Sequence, residues 1–423
     1  MGRGSRLSKI VVFNIYFSND NLYYLIIGFA DLNVFLFLAT YIKFEFMGEL
    51  VIKEVLTKKD LRDFIYLPEK VHKDEPDWLP PIYMDEWELY NKKKNKSYQY
   101  ADAILLLAYR DKKPVGRIMG IINKRYNSIH DERNGRFCFM ECYNDKEVFH
   151  TLLTKVEEWA IQNGMISMIG PLGFSDKDPQ GFQIEGFEYP QFMTSPNNSP
   201  YMPELMDGEG YEKKVDLVNY LGKLPEKLPP IYEKVLTRVD NNKEYKIIQF
   251  NSKKELKPYI IGVLQLMNEA FEEIYGFVPL NDKEKTDFAA RYLPILDPKF
   301  IKVIETEGLL VGFAIGMPDF SKGIRNARGR LLPFGIFKIL RDSKRSKKLL
   351  MMLGGVKKAY RGKGLEVLLG VKIFQSGIEH KMTMIDSHLI LENNTRMRSE
   401  WERIGCSVVK KFRIYQKDLL PKA

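Results

Sequence analysis

The stretch GGVKKAYRGKGLEVLL, from Gly354 to Leu369, combines the end of a strand, a glycine-rich basic turn and the start of a helix. Apolar residues recur at helical spacing from Leu365 through Leu368 to Val371, which predicts a helix that begins near Gly364. A helix N-terminus presents unpaired backbone N–H groups, and glycine lets an anion approach them without a Cβ in the way. The turn is therefore typical of a binding site for a phosphate or pyrophosphate.

The segments on either side of the turn predict a sheet around it. KKLLMMLGGV, which ends at Val356, has the apolar run of a buried strand. After the helix, MTMIDSHLIL predicts a second buried strand, ENNTRMRSEWERIGC a second helix and SVVKKFRIYQKDL a closing strand. Upstream, FIKVIETEGLLVGFAIG predicts a β-hairpin, so the order is hairpin, strand, turn, helix, strand, helix, strand.

In this order, and in two motifs, the chain resembles the GNAT superfamily of acyl-CoA N-acyltransferases. The resemblance covers Glu244 to Lys417. The family's phosphate loop, R/Q-x-x-G-x-G/A, is matched by Arg361 and Gly364. Its helix motif, E-N-N-x-x-A-x-x-L-Y-E-K-x-G-F, is matched at Glu392, Asn393, Asn394, Met397, Glu402, Arg403 and Gly405.

The chain also contains an internal repeat. Two predicted hairpins carry Val-Gly at the start of their second strand, at Val115-Gly116 and at Val311-Gly312. Two predicted closing segments match as well, because GYEKKVDLVNYL begins at Gly210 and GCSVVKKFRIYQKDL at Gly405. The two offsets agree within about one residue, at roughly 195 residues, and this agreement indicates a duplication.

We therefore predict a degenerate GNAT-like domain at residues 47–225 and a GNAT-like domain with the phosphate loop at residues 226–423. The predicted fold class is α/β, with a mixed twisted sheet flanked by helices in each domain, as in the bacterial two-domain GNAT-like proteins that the chain resembles. Three prolines in GKLPEKLPPIYEKV mark the boundary. In the first domain, ECYNDKEVFHTLL replaces the phosphate loop and has no glycine, so we expect no conventional coenzyme site there.

The resemblance implies that the second domain transfers an acyl group from acetyl-CoA or a longer acyl-CoA to an amine, while the first domain shapes the acceptor site. A backbone N–H between Gly354 and Val356 would polarise the thioester carbonyl. The residues expected to contact the coenzyme are Gly355, Val356, Arg361, Gly362, Lys363, Gly364, Leu365 and Asn394.

Three residues are candidates for the general base that deprotonates the amine: Asp386, His388 and Glu392. Asp386 and His388 alternate along one predicted strand, so they could work together. Each of the three also has a structural interpretation, as a hydrogen-bonding or helix-capping residue.

Two residues depart from the family pattern. Glu366 stands where the family has glycine or alanine, and a carboxylate there repels a bound anion by roughly 1 kcal/mol in water and about 4 at an intermediate dielectric. Trp401 stands where a tyrosine is common, and an indole N–H does not act as an acid near neutral pH. Both favour an alternative interpretation, a non-catalytic protein that keeps the fold, and a Fem-like aminoacyltransferase is a third.

Composition limits the other function classes. The chain carries a net charge of +10, three cysteines and five histidines, and no metal-ligand spacing is present, so we predict no metal and a cytoplasmic location with reduced thiols. From Lys322 to Lys348 there are ten Lys or Arg residues and one acid. This balance indicates either a solvated basic face or an anionic partner, which could be a nucleotide, a phospholipid surface or a nucleic acid, and we predict a lipid surface with peripheral membrane binding. Nucleic acid is a weaker prediction, since no nucleic-acid motif accompanies the charge.

The segment from Phe334 to Leu349 has the pattern of a helix with an apolar stripe and a basic edge, which would either pack on the sheet or lie on a membrane.

Residues 1–46 form an apolar extension, and Leu22–Ile42 is long enough to span a bilayer. Asp31 and Asn33 lie near the middle of that stretch, so an upstream artefact, a signal anchor and an extra core element all remain open.

Overall fold

The structure, a computed structural model, describes residues 11–16, 22–27, 48–193, 195–227, 230–240 and 244–420. Residues up to Val51 together with 109–113 form one compact unit, and residues 52–108 with 114–423 form a second, larger unit. In the smaller unit, β1 (Val11–Tyr16) pairs antiparallel with β2 (Leu22–Ile27). β2 is the start of the apolar stretch that is long enough to span a bilayer, and residues 28–42 of that stretch lie outside the described residues.

The remaining elements are strands and helices. The strands are β3 (Val51–Glu54), β4 (Ala101–Arg110), β5 (Lys113–Asn123), β6 (Asn134–Cys142), β7 (Ser167–Gly170), β8 (Phe182–Glu185), β9 (Glu212–Lys223), β10 (Lys246–Gln249), β11 (Ile301–Thr306), β12 (Leu309–Pro318), β13 (Lys348–Val356), β14 (Met384–Ser387), β15 (Ile390–Leu391) and β16 (Ser407–Asp418).

The helices are α1 (Lys58–Val71), α2 (Tyr83–Leu89), α3 (Lys124–His130), α4 (Lys146–Gln162), α5 (Tyr201–Met206), α6 (Pro230–Asp240), α7 (Lys253–Leu256), α8 (Ile260–Ala270), α9 (Asp282–Tyr292), α10 (Ser321–Asn326), α11 (Gly335–Arg345), α12 (Leu365–Glu379) and α13 (Thr395–Arg403). Among the described helices, none is long and apolar enough to cross a membrane.

β3 to β16 form one mixed sheet in the order β10-β11-β12-β13-β14-β9-β16-β7-β6-β5-β4-β3, with β15 against β9 and β8 against β16. Two parallel pairs, β6 with β7 and β13 with β14, occupy corresponding places in the two sequence halves. This architecture confirms the predicted α/β class, with a mixed sheet and flanking helices.

The closing strands of the two halves exchange places. β9, which ends the first half, lies between β14 and β16, and its Leu221 is paired with Asp386 of β14. β16, which ends the second half, lies between β9 and β7, and its Tyr415 is paired with Gly170 of β7. Each half therefore completes the sheet of the other, and the two halves share one continuous sheet.

The repeated Val-Gly has a packing role in both halves. A Cβ on Gly116 would lie 2.6 Å from Val148 Cγ1 of α4, and a Cβ on Gly312 would lie 3.1 Å from Leu369 Cδ1 of α12. A glycine at this point of the hairpin lets the following helix approach the sheet closely. The repeat in the sequence therefore reflects the same helix–sheet contact in each half.

Helices cover both faces of the second half of the sheet. α12 packs on one face, where the fully buried Leu365 and Leu368 contact the core that contains Leu349 and Ile385. α8 packs on the other face, in a core that contains Phe313. The α10–α11 pair covers Leu350 of β13, in a third core.

Candidate functional site

A gap opens in the sheet where β13 and β14 separate. Their parallel pairing runs from Lys348–Met384 to Met351–Ser387, and the His388 N–H then donates to Met351 O at 3.0 Å. Beyond this point the chain turns toward β9, because Ile390 of β15 pairs with Val218. The last residues of β13 are therefore paired with β12 alone, and the edge they turn toward β14 borders the gap.

Backbone N–H groups of β13 point into this gap. The Lys357 N–H donates to Val311 O at 2.8 Å, and the register continues through Gly354, which is paired with Ala314. Because hydrogen-bonded pairs alternate in an antiparallel ladder, the N–H groups of Gly354 and Val356 point away from β12. They are the donors that could polarise a carbonyl held between the strands.

Gly355, predicted to contact the coenzyme, has a packing role in the structure. By the same alternation its N–H faces β12, where it is paired with Phe313. A Cβ at this residue would lie 2.9 Å from Ala270 Cβ and 3.3 Å from the Phe271 ring. Gly355 therefore allows the end of α8 to pack on β13.

The turn that follows β13 is held from outside by Arg361. Its Nη2 donates to Ala270 O at 2.9 Å, its Nη1 to Glu273 Oε2 at 3.2 Å and its Nε to Val356 O at 3.3 Å. The guanidinium thus ties the end of α8 to the end of β13. Three of its five N–H donors thus bond protein acceptors, so we expect Arg361 to support the turn.

Two glycines shape the turn itself. Gly362 and Gly364 have φ of 79° and 83°, in the left-handed region that favours glycine. A Cβ on either residue would meet no atom within 4 Å, so backbone conformation selects glycine here and the space beside the turn is open. The Lys363 ammonium lies 4.8 Å from the Tyr360 ring centroid, beside the same turn.

The helix that begins at this turn has no side-chain cap. Its N-cap is Gly364, whereas the N-cap of α4, the corresponding helix of the first half, is Asp145. The Asp145 carboxylate accepts the N–H groups of Glu147 and Val148 at 3.0 and 3.2 Å. The first turn of α4 is thus capped by its own carboxylate, whereas that of α12 has no side-chain cap, an arrangement typical of helix N-termini that bind anions.

Glu366 lies in the first turn of α12 and points toward α13. Its Oε1 lies 3.2 Å from Arg396 Nη2, an ion pair that joins the N-terminal turns of the two helices. Its Oε2 is buried and has no hydrogen-bond partner among the described residues. The carboxylate is therefore partly neutralised by Arg396, at a position where it could also meet a bound anion.

Two residues of the helix motif have structural roles in α13. Asn394 is the N-cap of the helix, and its Oδ1 accepts the Met397 N–H at 3.2 Å. Trp401 is buried and stacks on Tyr220 of β9, with ring centroids 6.3 Å apart. The indole is therefore part of the core between the sheet and α13.

Glu392, one of the three candidate bases, is engaged by β9. Its Oε2 accepts a bond from Lys213 Nζ at 2.7 Å, and its Oε1 accepts the Asp216 N–H at 3.2 Å. These contacts fix the entry to α13 and join it to the closing strand of the first half. They favour the structural interpretation of Glu392.

Asp386 is fully buried in a polar cluster that sequence reasoning missed. Its Oδ1 accepts a bond from Asn219 Nδ2 at 2.9 Å, and Lys348 Nζ lies 3.7 Å from its Oδ2. Burial raises the pKa of Asp386 to about 6, although Lys348 and Asn219 oppose the shift. Asn219 belongs to β9, so the first half of the sequence supplies the hydrogen bond to this carboxyl.

Lys410 lies beside the same cluster, in register with Asn219 on the next strand. It is 1% exposed, and burial lowers the pKa of its ammonium to about 8. Strand alternation indicates that one residue of the Lys410–Lys411 pair points inward, but the pattern does not show which one. The sequence therefore does not distinguish Lys410 from Lys411, which is only partly buried.

His388 lies at the apex of the gap, directly after the last paired residue of β14. Burial lowers the pKa of its imidazole, and Asp176 opposes this shift. The side chain is thus neutral at pH 7 and able to accept a proton. Asp386 contacts Asn219 and Lys348, so the structure gives these two candidate bases different surroundings.

Among the described residues, no group of three or more His, Cys, Asp or Glu side chains could hold a metal ion.

No protein-family profile matches the chain. The chain is 26% identical over 380 residues to Protein YghO of Escherichia coli strain K12, a match that covers 87% of this chain and 95% of that protein. It is 24% identical over 389 residues to the bacterial ceramide synthase of Caulobacter vibrioides, covering 88% of this chain and 98% of that protein.

Two solved structures resemble the fold over most of the chain. One is a tandem GNAT protein from the clavulanic acid biosynthesis pathway, with a TM-score of 0.51, 11% identity and coverage of 89% of this chain and 100% of that one. The other is a GCN5-related N-acetyltransferase from Sphaerobacter thermophilus, with a TM-score of 0.51, 14% identity and coverage of 88% and 97%. The chain therefore has the tandem GNAT fold that the sequence motifs predicted.

Proposed function

We propose that this protein catalyses acyl-CoA-dependent N-acyl transfer to an amine. The observation that carries the proposal is the gap between β13 and β14, which is bordered by the N–H groups of Gly354 and Val356 and adjoins an uncapped glycine turn. In this proposal residues 226–423 hold the acyl-CoA, and residues 47–225 shape the acceptor side and complete the sheet through β9.

Some of the residues predicted to contact the coenzyme would bind it directly, and others would hold the binding elements in place. The pyrophosphate would meet the N–H groups of the turn from Gly362 to Leu365, with Lys363 as the nearby cation. Arg361 would hold the turn, and Asn394 would hold the start of α13. The thioester carbonyl would accept the N–H of Val356 or Gly354, which stabilises the oxyanion that forms during attack.

The transfer step follows from this placement. The amine nitrogen attacks the carbonyl carbon, the new C–N bond forms as the C–S bond breaks, and coenzyme A leaves as a thiolate that takes up a proton. The ammonium of the acceptor first loses a proton to a base. His388 is the best placed of the three candidates because it lies where the strands separate and because burial keeps its imidazole neutral. Asp386 and Glu392 would act as positioning residues, since both are engaged in the β9 contacts.

A long-chain substrate is part of the proposal. A ceramide is a fatty amide of a long-chain amino alcohol, and the relative named as a ceramide synthase matches along nearly its whole length. This likeness supports a long-chain acyl group or a lipid amine as the substrate class. We propose as partners an acyl-CoA, an amine and an anionic lipid surface contacted through Lys322–Lys348, with a cytoplasmic location at the membrane periphery.

The proposal predicts amide formation from an acyl-CoA and a long-chain amino alcohol, measured by mass spectrometry of the product and by thiol release. Replacing His388 with Gln is expected to lower kcat by roughly a hundredfold or more, since general-base catalysis contributes about that factor. In the wild type, kcat/KM should rise with pH to a plateau, and because burial lowers the pKa of His388 the midpoint should lie below the ordinary histidine value. In the His388→Gln variant, kcat/KM should no longer show this rise with pH.

The matched control is His130→Gln, at the exposed end of α3, which should leave kcat and the pH profile unchanged. Full activity in the His388→Gln variant would remove His388 from the mechanism. Absence of amide from the wild type with every acyl-CoA and amine tried would contradict the transfer reaction itself.

One observation favours a second function, a GNAT-fold protein that does not turn over coenzyme. Glu366 places a carboxylate in the first turn of α12 and links it to Arg396 of α13, so the protein could close its own anion site with this ion pair. This alternative predicts that acyl-CoA binds only after Glu366 is neutralised.

A further inference from the structure

An apolar patch covers the outward face of α11 and the residues before it. Leu332, Phe334, Phe337 and Leu340 are 77%, 69%, 66% and 48% exposed. Single exposed apolar side chains are common on protein surfaces, whereas a cluster of four within nine residues of sequence indicates a contact surface. We call these four residues the α11 patch.

The inner face of α11 is packed independently of the patch. Ile339 is buried in the core beneath α10 and α11, which also contains Ile324 and Leu350. A Cβ on Gly323 of α10 would lie 2.6 Å from the Ile339 Cα, so the two helices are in close contact. The packing predicted for one face of this segment is therefore confirmed, and the opposite face is exposed.

The charges around the α11 patch are positive. Exposed cations surround it at Lys338, Arg341, Lys344, Arg345 and Lys347. The one acid between Lys322 and Lys348, Asp342, is on the buried face, where Asn326 Nδ2 donates to it at 2.7 Å. The outward face of α11 thus carries exposed apolar side chains with cations around them.

A partner for this face has to supply both an apolar phase and negative charge. An anionic lipid bilayer does so, because rings enter the boundary between headgroups and acyl chains while Lys and Arg contact the headgroups. Nucleic acid supplies the charge but no matching apolar phase for Leu332 and Leu340. The composition of the face therefore favours a membrane surface.

We propose that α11 docks the protein on an anionic lipid bilayer, with Leu332, Phe334, Phe337 and Leu340 inserted and the surrounding cations on the headgroups. The inference deepens the proposed function, because the α10–α11 core contacts Leu350 and Met352 of β13, the strand that borders the acyl-CoA gap. A lipid amine would then be delivered from the surface on which the enzyme sits. Binding to the bilayer does not itself require acyl transfer.

The test is sedimentation of the full chain with vesicles, in the absence of acyl-CoA and amine. We expect binding to phosphatidylcholine vesicles that contain phosphatidylglycerol, weaker binding to phosphatidylcholine alone, and release by salt. The double variant Phe334→Ser/Phe337→Ser should reduce the partition coefficient by roughly tenfold or more with all charges kept. The variant Lys344→Gln/Arg345→Gln should reduce it by a similar factor with the rings kept.

The matched control is Ile261→Ser/Ile295→Ser, which removes two exposed apolar side chains of the same chain, 46% and 41% exposed, outside the patch. It should bind as the wild type does. Wild-type protein that stays in the supernatant, or ring variants that sediment like wild type, would overturn the proposal. Sedimentation velocity is measured in parallel: a wild-type dimer that becomes monomeric in the ring variants, without vesicle binding, would assign the patch to self-association and also overturn it.

Failure here is separable from failure of the acyltransferase proposal, because amide formation from detergent-dispersed substrates can be assayed with the wild type and with the ring variants. Vesicle binding by the wild type that the ring variants lose, with no amide formed by the wild type, would support the membrane contact and contradict the transfer reaction. Amide formation by a wild type that does not bind vesicles would support the transfer reaction and contradict the membrane contact.

Discussion

Expressed alone, residues 226–423 are expected to show no cooperative thermal unfolding transition. This segment lacks β9, which lies between β14 and β16 in the intact sheet. Its removal exposes backbone donors and acceptors on both neighbours and takes away the buried Leu217, Val218 and Tyr220. Each such side chain contributes roughly 1.5–3 kcal/mol on burial, against a typical total stability of about 5–15 kcal/mol.

A longer fragment, residues 211–423, is the matched control. It keeps β9 in continuity with the second half, so we expect it to unfold cooperatively when followed by circular dichroism. A cooperative transition for residues 226–423, equal to that of the longer fragment, would show that the exchanged strand is dispensable. The boundary predicted near Gly222–Val235 would then separate independently folding domains as well as sequence repeats.

Replacing His72 with Leu is expected to lower the free energy of unfolding by about 3–5 kcal/mol at pH 7, because it leaves a buried carboxylate without its partner. His72 is 1% exposed, and its Nδ1 lies 2.8 Å from Glu75 Oε2 and its Nε2 3.1 Å from Glu141 Oε2. Burial opposes the positive charge, but the two carboxylates outweigh it and raise the pKa of His72 to about 9. The relevant measurement is urea denaturation as a function of pH.

The pH dependence follows from the direction of this shift. The pKa of His72 is higher in the folded protein than its ordinary value of 6.5, so its stabilisation is complete below that value and is lost as pH rises through about 9. The wild type should therefore lose stability over this window, and the difference between wild type and His72→Leu should shrink there. An unchanged difference would contradict a charged His72.

Two further variants separate the buried ion pair from a general effect of removing histidine. His130 lies at the exposed end of α3. His130→Leu should change the free energy of unfolding by less than about 1 kcal/mol, as is usual for substitutions on the surface. The double variant His72→Leu/Glu141→Gln should recover part of the loss, since removing both members of a buried pair is less damaging than removing one.

Much of the second half could be predicted from local pattern. The apolar run before Val356, the glycines of the turn and the helical spacing after Gly364 predict β13, the turn and α12, and the structure has all three in place. The repeated Val-Gly predicted two equivalent hairpins, and each glycine contacts the equivalent helix. These features depend on residues close in sequence, where pattern is informative.

The strand exchange could not be predicted in this way. β9 and β16 carry similar closing patterns, and either could pair with the parallel strands of its own half or of the other half. Only the register of the folded sheet shows that Leu221 lies beside Asp386 and Gly170 beside Tyr415. The Asn219–Asp386 hydrogen bond depends on this exchange, so it could not be predicted from the sequence either.

The protein contacts of the candidate site residues could not be predicted from the sequence. The resemblance implied that Arg361 and Asn394 contact the coenzyme and that Glu392 is a candidate base, and the structure shows each of the three bonded to a neighbouring protein group. The sequence showed that Glu366 departs from the family pattern. Its ion pair with Arg396 could not be predicted, because the sequence does not show that the N-terminal turns of α12 and α13 lie side by side. Which of these residues contact substrate remains a prediction.

Isothermal titration calorimetry of the full chain with acetyl-CoA and a long-chain acyl-CoA tests the central claim most directly. It would be run beside Glu366→Gln and, as a control at the other end of α12, Glu379→Gln. We predict that the wild type binds the long-chain acyl-CoA, that Glu366→Gln binds several-fold more tightly because about 1 kcal/mol of like-charge repulsion is removed, and that Glu379→Gln binds as wild type. Binding by Glu366→Gln alone would indicate a closed coenzyme site and favour the non-catalytic function, and no binding by any of the three proteins would contradict the account.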